Sequence, residues 1–163
     1  HAPGPLPVIA EDLGLITPYV HALREKFQLP GMRVLQFGFD GNPANPHLAH
    51  NITPDNIAYT GTHDNDTTAG WFAAADQRTK KVAASYWPGI AKNPAHTLLS
   101  ATWATTAVLA IAPLQDLLAL PSSARMNLPG TPTGNWAWRS PPLSAMRARL
   151  GFLADLTARY NRA

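Results

Sequence analysis

The chain has no cysteine, few charged residues and no long hydrophobic run. The absence of cysteine excludes disulfides and thiolate metal sites, and it is consistent with the cytoplasmic location that we expect. No stretch approaches the roughly 18 apolar residues of a membrane span, so we expect no membrane partner. Pro3, Pro5 and Pro7 interrupt the apolar core that a signal peptide would need.

The charged residues, 14% of the chain, give no sign of a nucleic-acid partner. The net charge is +3 and the isoelectric point is near 9.5, but the basic side chains are scattered and only Lys80-Lys81 are adjacent. The arginines near the C-terminus are typical of a solvated helix face. We therefore expect no binding to nucleic acid.

The length and composition predict one globular domain with a real core, since 45% of the 163 residues are apolar. The first residue is His1 rather than methionine. We therefore expect the sequence to begin partway through a longer reading frame.

Short apolar segments alternate with helical patterns along the chain, which predicts an α/β fold with a parallel sheet. The predicted strands cover residues 8–10, 32–37, 56–60 and 108–112. The predicted helices begin at Thr17-Pro18, near Trp71, near Arg78, at Asn93-Pro94 and in the amphipathic C-terminal stretch. Long loops are predicted at 41–54 and 126–142, which are rich in proline. Four strands are too few to close a barrel, so the pattern fits a small open sheet or half of a barrel.

The stretch 59–70 is the centre of the predicted site, because a strand delivers four polar residues to a loop before a helix. These are His63, Asp64, Asn65 and Asp66. The carboxyl ends of strands are where β/α proteins place their active sites. Asp64 is therefore a candidate catalytic carboxylate with His63 as a donor to substrate hydroxyls, although a turn whose side chains satisfy their own backbone is an alternative.

Glu11 is the second candidate, because it follows the apolar stretch 8–10. A carboxyl at the mouth of a buried strand is partly desolvated, which suits it to donate a proton near neutral pH. The alternative is that Glu11 and Asp12 cap the following turn.

A metal site at His63, Asp64 and Asp66 is a third possibility. Adjacent residues of a strand point to opposite sides, so the loop would have to turn sharply for His63 and Asp64 to share an ion. Two carboxyls at strand ends among exposed aromatic rings instead match glycoside chemistry. Trp136 and Trp138 could stack on sugar rings, or they could pack in the core.

Five stretches closely resemble the amylomaltases, which are 4-α-glucanotransferases of the α-amylase superfamily. They are IAEDLG at 9–14, LPGMRVLQF at 29–37, YTGTHDNDTT at 59–68, RMNLPG at 125–130 and GNWAWR at 134–139. They follow the family's order and cover nearly the whole chain.

The resemblance implies a (β/α)8 barrel that transfers α-1,4-glucan segments between malto-oligosaccharides by a retaining double displacement. It implies that Glu11 is the general acid/base, that Asp64 stabilises the transition state, and that His63, Asn127 and Phe37 bind the sugar. It implies no metal and no organic cofactor.

One element of the family pattern is missing. The family's nucleophile is an Asp in an Arg-x-Asp-His segment upstream of the AEDLG motif, and this chain lacks that segment. Asp12 would point away from Glu11, and Asp40 lies on another loop. The resemblance therefore implies that residues 1–163 are the C-terminal half of a TIM barrel, about strands 5–8, and that activity requires the missing N-terminal half. An α-glucan hydrolase of the same superfamily and a non-catalytic glucan-binding fragment are the alternatives.

Overall fold

The computed structural model describes residues 8–14 and 16–162, and within them three parallel strands form one sheet. The strands are β1 (Gly31–Val34), β2 (Asn56–Tyr59) and β3 (Leu109–Ile111). The helices are α1 (Pro18–Lys26), α2 (Thr68–Ala74), α3 (Gln77–Tyr86), α4 (Pro94–Trp103), α5 (Leu114–Leu117) and α6 (Leu143–Arg159). Single 3-10 turns cover Leu35–Phe37, Ala49–Asn51 and Ser122–Ala124.

The central strand β2 sets the geometry of the sheet. Val34 of β1 lies opposite Tyr59, and Tyr59 lies opposite Ile111 of β3. Thr60 continues the pairing, because its backbone N–H donates to the Ile111 carbonyl at 3.4 Å. The carboxyl ends of all three strands thus lie on the same side of the sheet, and the residues that follow β2 and β3 lie beside each other there.

The parallel sheet and three of the four predicted strands are confirmed, but the strand predicted at 8–10 is wrong. The Ala10 N–H donates to the Pro30 carbonyl at 3.1 Å, yet residues 8–10 form no strand. Val8 and Ile9 are exposed. An apolar run of three residues does not make a strand without partners for its backbone groups.

Helix α1 begins where Thr17-Pro18 predicts, but it does not bury the apolar residues that repeat at helical spacing. Val20 and Leu23 are exposed. The buried side chain is Arg24, whose guanidinium lies 3.6 Å from Asp12 and 3.7 Å from Asp55. A charge pair, not an apolar stripe, holds this helix to the remainder of the fold.

The helices predicted after β2 are confirmed, and three of them, α2, α3 and α4, begin at a side chain that accepts a hydrogen bond from the first turn. Thr67 Oγ1 accepts from Gly70 N, Asp76 Oδ1 from Thr79 N, and Asn93 Oδ1 from His96 N. Capping of this kind satisfies amides that have no partner inside the helix.

Two groups of buried apolar side chains form the core. The larger packs α2, α3 and α4 against β2 and the loop 41–54, and it contains Leu35, Phe39, Leu48, Ile52, Phe72, Ile90 and Leu98. The smaller joins α4, α5 and α6 through Leu99, Trp103, Leu117 and Leu156. In the part of the chain that the structure describes, no helix is long and apolar enough to cross a membrane.

Candidate active site

A cavity of about 620 Å³ opens at the edge where the strands end. Its walls come from the segment before α1, from the loop 61–67 after β2, from the end of β3 and from the stretch after Ala124. The polar and aromatic residues discussed below that line it are Glu11, Tyr59, His63, Asp64, Arg125 and Trp136. Burial raises the pKa of the Tyr59 phenol, which therefore stays a protonated donor at neutral pH.

Glu11 faces this cavity because hydrogen bonds hold the neighbouring Asp12 inside the fold. Asp12 is buried, its Oδ1 accepts from the Met32 N–H at 2.6 Å, and its Oδ2 accepts from Arg33 Nη1 at 3.2 Å. Asp12 therefore points into the fold, and Glu11 points to the solvent-facing cavity. Glu11 is exposed, so the partial desolvation expected from a buried strand is not found in this chain.

Asp64 is held from two sides by the stretch that follows Ala124. Asn127 Nδ2 donates to Asp64 Oδ1 at 2.6 Å, and Arg125 Nη2 donates to the Asp64 carbonyl at 2.6 Å. The Asn127 N–H also donates to the His63 carbonyl at 3.1 Å. The structure thus brings Asn127 to His63 and Asp64, which lie more than sixty positions earlier in the sequence.

The alternative of a self-satisfied polar turn applies to the second half of the loop only. Asn65 Oδ1 accepts from both the backbone and the hydroxyl of Thr62, and Asp66 Oδ1 accepts from Thr67 N. The Asp64 carboxyl accepts from Asn127 instead and remains half exposed.

The loop turns sharply enough to bring His63 Nε2 within 3.3 Å of Asp64 Oδ1. Among the residues that the structure describes, no three His, Asp or Glu side chains lie close enough to hold a metal ion. The imidazole of His63 and the carboxyl of Asp64 thus lie side by side at the cavity.

An exposed aromatic ring covers one side of the pair. The Trp136 ring lies 5.1 Å from the His63 ring, and the residue is 54% exposed. The backbone N–H of Trp136 donates to the Met126 carbonyl at 2.7 Å. Trp138 is half-buried and does not line the cavity. Phe37 is not among the lining residues either, because β1 ends at Val34 and a 3-10 turn carries its ring against His47. The sugar-binding role of Phe37 stays a prediction.

Several residues behind the cavity were not predicted. Asp116 is buried and accepts hydrogen bonds from Thr60 and Thr68, and Ser122 donates to Asp66. In the sequence, Asp116 is distinguished only as a single charged residue within a largely apolar run. Arg125 lies inside a stretch that carries the resemblance, but its contact to a backbone carbonyl has no sequence signature.

The chain is similar to known proteins over nearly its whole length. A family profile described as 4-alpha-glucanotransferase matches residues 2–144. The 4-alpha-glucanotransferase of Thermus thermophilus is 49% identical over 168 residues, which cover 96% of this chain and 33% of that protein. The 4-alpha-glucanotransferase of Synechocystis sp. is 46% identical over 159 residues, which cover 96% of this chain and 32% of that protein.

A solved structure, the amylomaltase from Streptococcus agalactiae in complex with acarbose, is similar with a TM-score of 0.90 and 38% identity. The similarity covers 96% of this chain and 32% of that one, so the chain spans about a third of the length of the relatives it matches. Sequence profile, curated relatives and solved structure agree over nearly the whole chain, and the chain belongs to the 4-alpha-glucanotransferase family.

Proposed function

We propose that the polypeptide carrying this chain transfers α-1,4-glucan segments between malto-oligosaccharides. The observation that carries the proposal is that Glu11 and Asp64 line one cavity in a chain of this family. Both carboxyls reach open solvent, where a sugar can approach them.

In the proposed retaining mechanism, Glu11 acts twice. It first donates its proton to the glycosidic oxygen while the bond from that oxygen to C1 breaks and C1 forms an ester with a nucleophilic carboxylate. The hydroxyl of an acceptor sugar then attacks C1, the ester bond breaks, and Glu11 takes the hydroxyl proton. The residue thus returns to its starting protonation state.

Asp64 supplies negative charge where the sugar ring becomes positive. Asn127 donates to Oδ1, and no residue that the structure describes bonds to Oδ2, which can therefore accept hydrogen bonds from sugar hydroxyls. The adjacent His63 can donate to another hydroxyl, and the exposed face of Trp136 offers a flat surface for the ring. These groups would hold a sugar against the acid/base residue.

The nucleophile must come from elsewhere. Asp12 is engaged by Arg24 and Arg33, and Asp40 lies on the loop next to Arg78, whose Nη2 donates to its carbonyl. We therefore propose that residues 1–163 form the C-terminal half of a (β/α)8 barrel and that another part of the polypeptide supplies the nucleophile and completes the cavity.

The test is the product pattern of the complete polypeptide with maltotriose. Glucose together with oligosaccharides longer than maltotriose is the expected result, because transfer lengthens one chain as it shortens another. Glucose and maltose alone would instead make water the acceptor and the protein a hydrolase.

A matched pair of variants tests the role of Glu11. We expect Glu11→Gln to lower turnover by roughly 10²–10⁴-fold, the contribution of a general acid/base. Glu25→Gln, a change of the same chemistry on the exposed surface of α1, should leave turnover unchanged. Equal turnover by both variants would contradict the role of Glu11 as acid/base, whereas a wild type that binds malto-oligosaccharides without turnover would favour a binding fragment.

A further inference from the structure

A buried carboxylate lies directly behind the loop that carries Asp64. The side chain of Asp116 is 1% exposed and accepts three hydrogen bonds. Thr60 Oγ1 donates to Oδ2 at 2.6 Å, Thr68 Oγ1 donates to Oδ2 at 2.7 Å, and Thr68 N donates to Oδ1 at 2.7 Å. Among the described residues no basic side chain forms an ion pair with it.

The donors to this carboxylate flank the active-site loop. Thr60 is the residue that follows β2, and Thr68 is the first residue of α2. Between them lies the loop 61–67 with His63 and Asp64. A single carboxylate therefore joins the two ends of the loop, and it fixes the distance that the loop must span.

A second set of contacts holds the C-terminal end of the same loop. Gln36 Nε2 donates to the Asp66 carbonyl at 3.1 Å and to Thr68 Oγ1 at 3.3 Å. Ser122 Oγ donates to Asp66 Oδ2 at 2.6 Å. Asp116 and Ser122 belong to the short segment between β3 and Arg125, so one segment holds the loop at Thr60, Thr68 and Asp66.

Stability alone does not account for a buried carboxylate without a cation. Removing a charge from water is costly, and an apolar side chain of similar size would avoid that cost. Hydrogen bonds to an ionised acceptor are, however, shorter and stronger than those to a neutral one, and they fix geometry more tightly. The distances at Asp116 lie in that short range.

We propose that Asp116 is a positioning residue for Asp64, which it serves by holding both ends of the loop 61–67 in one geometry. The proposal rests on the proposed function in so far as Asp64 acts in catalysis. The hydrogen bonds themselves can be tested without any turnover.

The first experiment measures amide hydrogen exchange in the complete polypeptide. In Asp116→Asn the amide group cannot accept at one of the two oxygen positions, so we expect exchange of residues 61–67 to accelerate by roughly tenfold or more, as local opening becomes easier. Exchange in α4 should not change. Uniform acceleration across both regions, or none in the loop, would overturn the proposal.

The second experiment compares turnover of maltotriose by two variants that each lose one buried hydroxyl. Thr60→Val removes a donor to Asp116, whereas Thr102→Val removes a hydroxyl that bonds to the Leu98 carbonyl inside α4. We expect Thr60→Val to lower kcat by roughly ten- to a hundredfold with KM nearly unchanged, since small misplacement of a catalytic group acts on the transition state. Thr102→Val should keep kcat.

The two experiments separate the failure of this inference from the failure of the proposed function. A wild-type polypeptide without glucan products would refute the function, and the exchange measurement would still decide whether Asp116 positions the loop. An active wild type whose Thr60→Val and Thr102→Val variants lose kcat equally would refute the positioning role and leave the function intact.

Discussion

Two carboxylates lie close to the cavity in opposite surroundings. Asp64 is half exposed and is held at one oxygen by Asn127, whereas Asp116 is enclosed, and burial raises the pKa of its carboxyl above the ordinary value. An exposed carboxylate can exchange water for a sugar hydroxyl at little cost. An enclosed one cannot change partners, and it serves as a fixed point of the structure.

His47 gives a pH-dependent prediction at the same scale. Its Nδ1 accepts from the Val34 N–H at 3.1 Å, and burial, with a smaller effect of Arg33, lowers the imidazole pKa below its ordinary 6.5. Asp12 and Asp40 oppose that shift. The fold thus favours the neutral form of His47 more than the unfolded chain does. The stability that His47 contributes is therefore fully present above pH 6.5, and it is lost as the pH falls through the lowered pKa.

Proton NMR of the imidazole in the complete polypeptide measures this directly. We expect the His47 resonance to titrate below pH 6.5. The free energy of unfolding of His47→Gln should lack the pH dependence that His47 contributes in the wild type. A His47 midpoint at or above 6.5 would show that the ring is not held as an acceptor.

At the scale of elements, the sequence predicts best where a local signal and a tertiary contact agree. Helix α4 has an asparagine cap, proline in its first turn and a face that is buried, and it forms where expected. Helix α1 also has a proline in its first turn, but Thr17 makes no side-chain capping bond, and the buried residue of the helix is Arg24, which lies beside Asp12 and Asp55. Long-range charge pairs of this kind leave no periodic pattern in a sequence.

The candidate site shows the same limit. Short motifs predict Glu11, His63, Asp64 and Asn127 as site residues, since each lies in a stretch typical of the family. Asp116 and Ser122 act on residues about fifty positions away, and helix α5 that carries Asp116 has only four residues, too few for a periodicity.

Two glycines in helices should respond to alanine in opposite directions. A Cβ at Gly70 in α2 would clash with Ser122 Oγ and lie 2.8 Å from the Asp66 carboxylate, whereas a Cβ at Gly151 in α6 meets no atom within 4 Å. Alanine is favoured over glycine inside helices by about 1 kcal/mol, so Gly151→Ala should stabilise the protein. Gly70→Ala should destabilise it by about 1–3 kcal/mol, the usual cost of overpacking.

Denaturant unfolding of the complete polypeptide compares the two. Adding Ser122→Ala to Gly70→Ala removes the clashing oxygen and should recover part of the loss. A stabilising Gly70→Ala would contradict the close approach of α2 to the segment that carries Ser122.

At the scale of the whole molecule, the described sheet ends at β1 on one side and at β3 on the other. Each edge strand presents backbone groups that β2 does not satisfy, and Val108 and Leu109 are exposed beside one edge. Two unpaired strand edges are the feature that the proposed half-barrel leads us to expect.

We therefore expect the 163-residue chain alone to be inactive on maltotriose and to associate in solution. Product analysis and size-exclusion chromatography of the purified chain, free of host glucanotransferase, check both expectations, with the complete polypeptide as the positive control. Turnover by the isolated chain, or a monomer that unfolds cooperatively, would count against the half-barrel.

The carboxylate of Asp116 also limits how the length of the chain can vary. Because Thr60 and Thr68 bond to the same side chain, the seven residues between them must close a loop of fixed span. An insertion there would have to bulge into the cavity, and a deletion would pull one threonine from its acceptor. Related proteins should therefore keep the residue count of this loop constant.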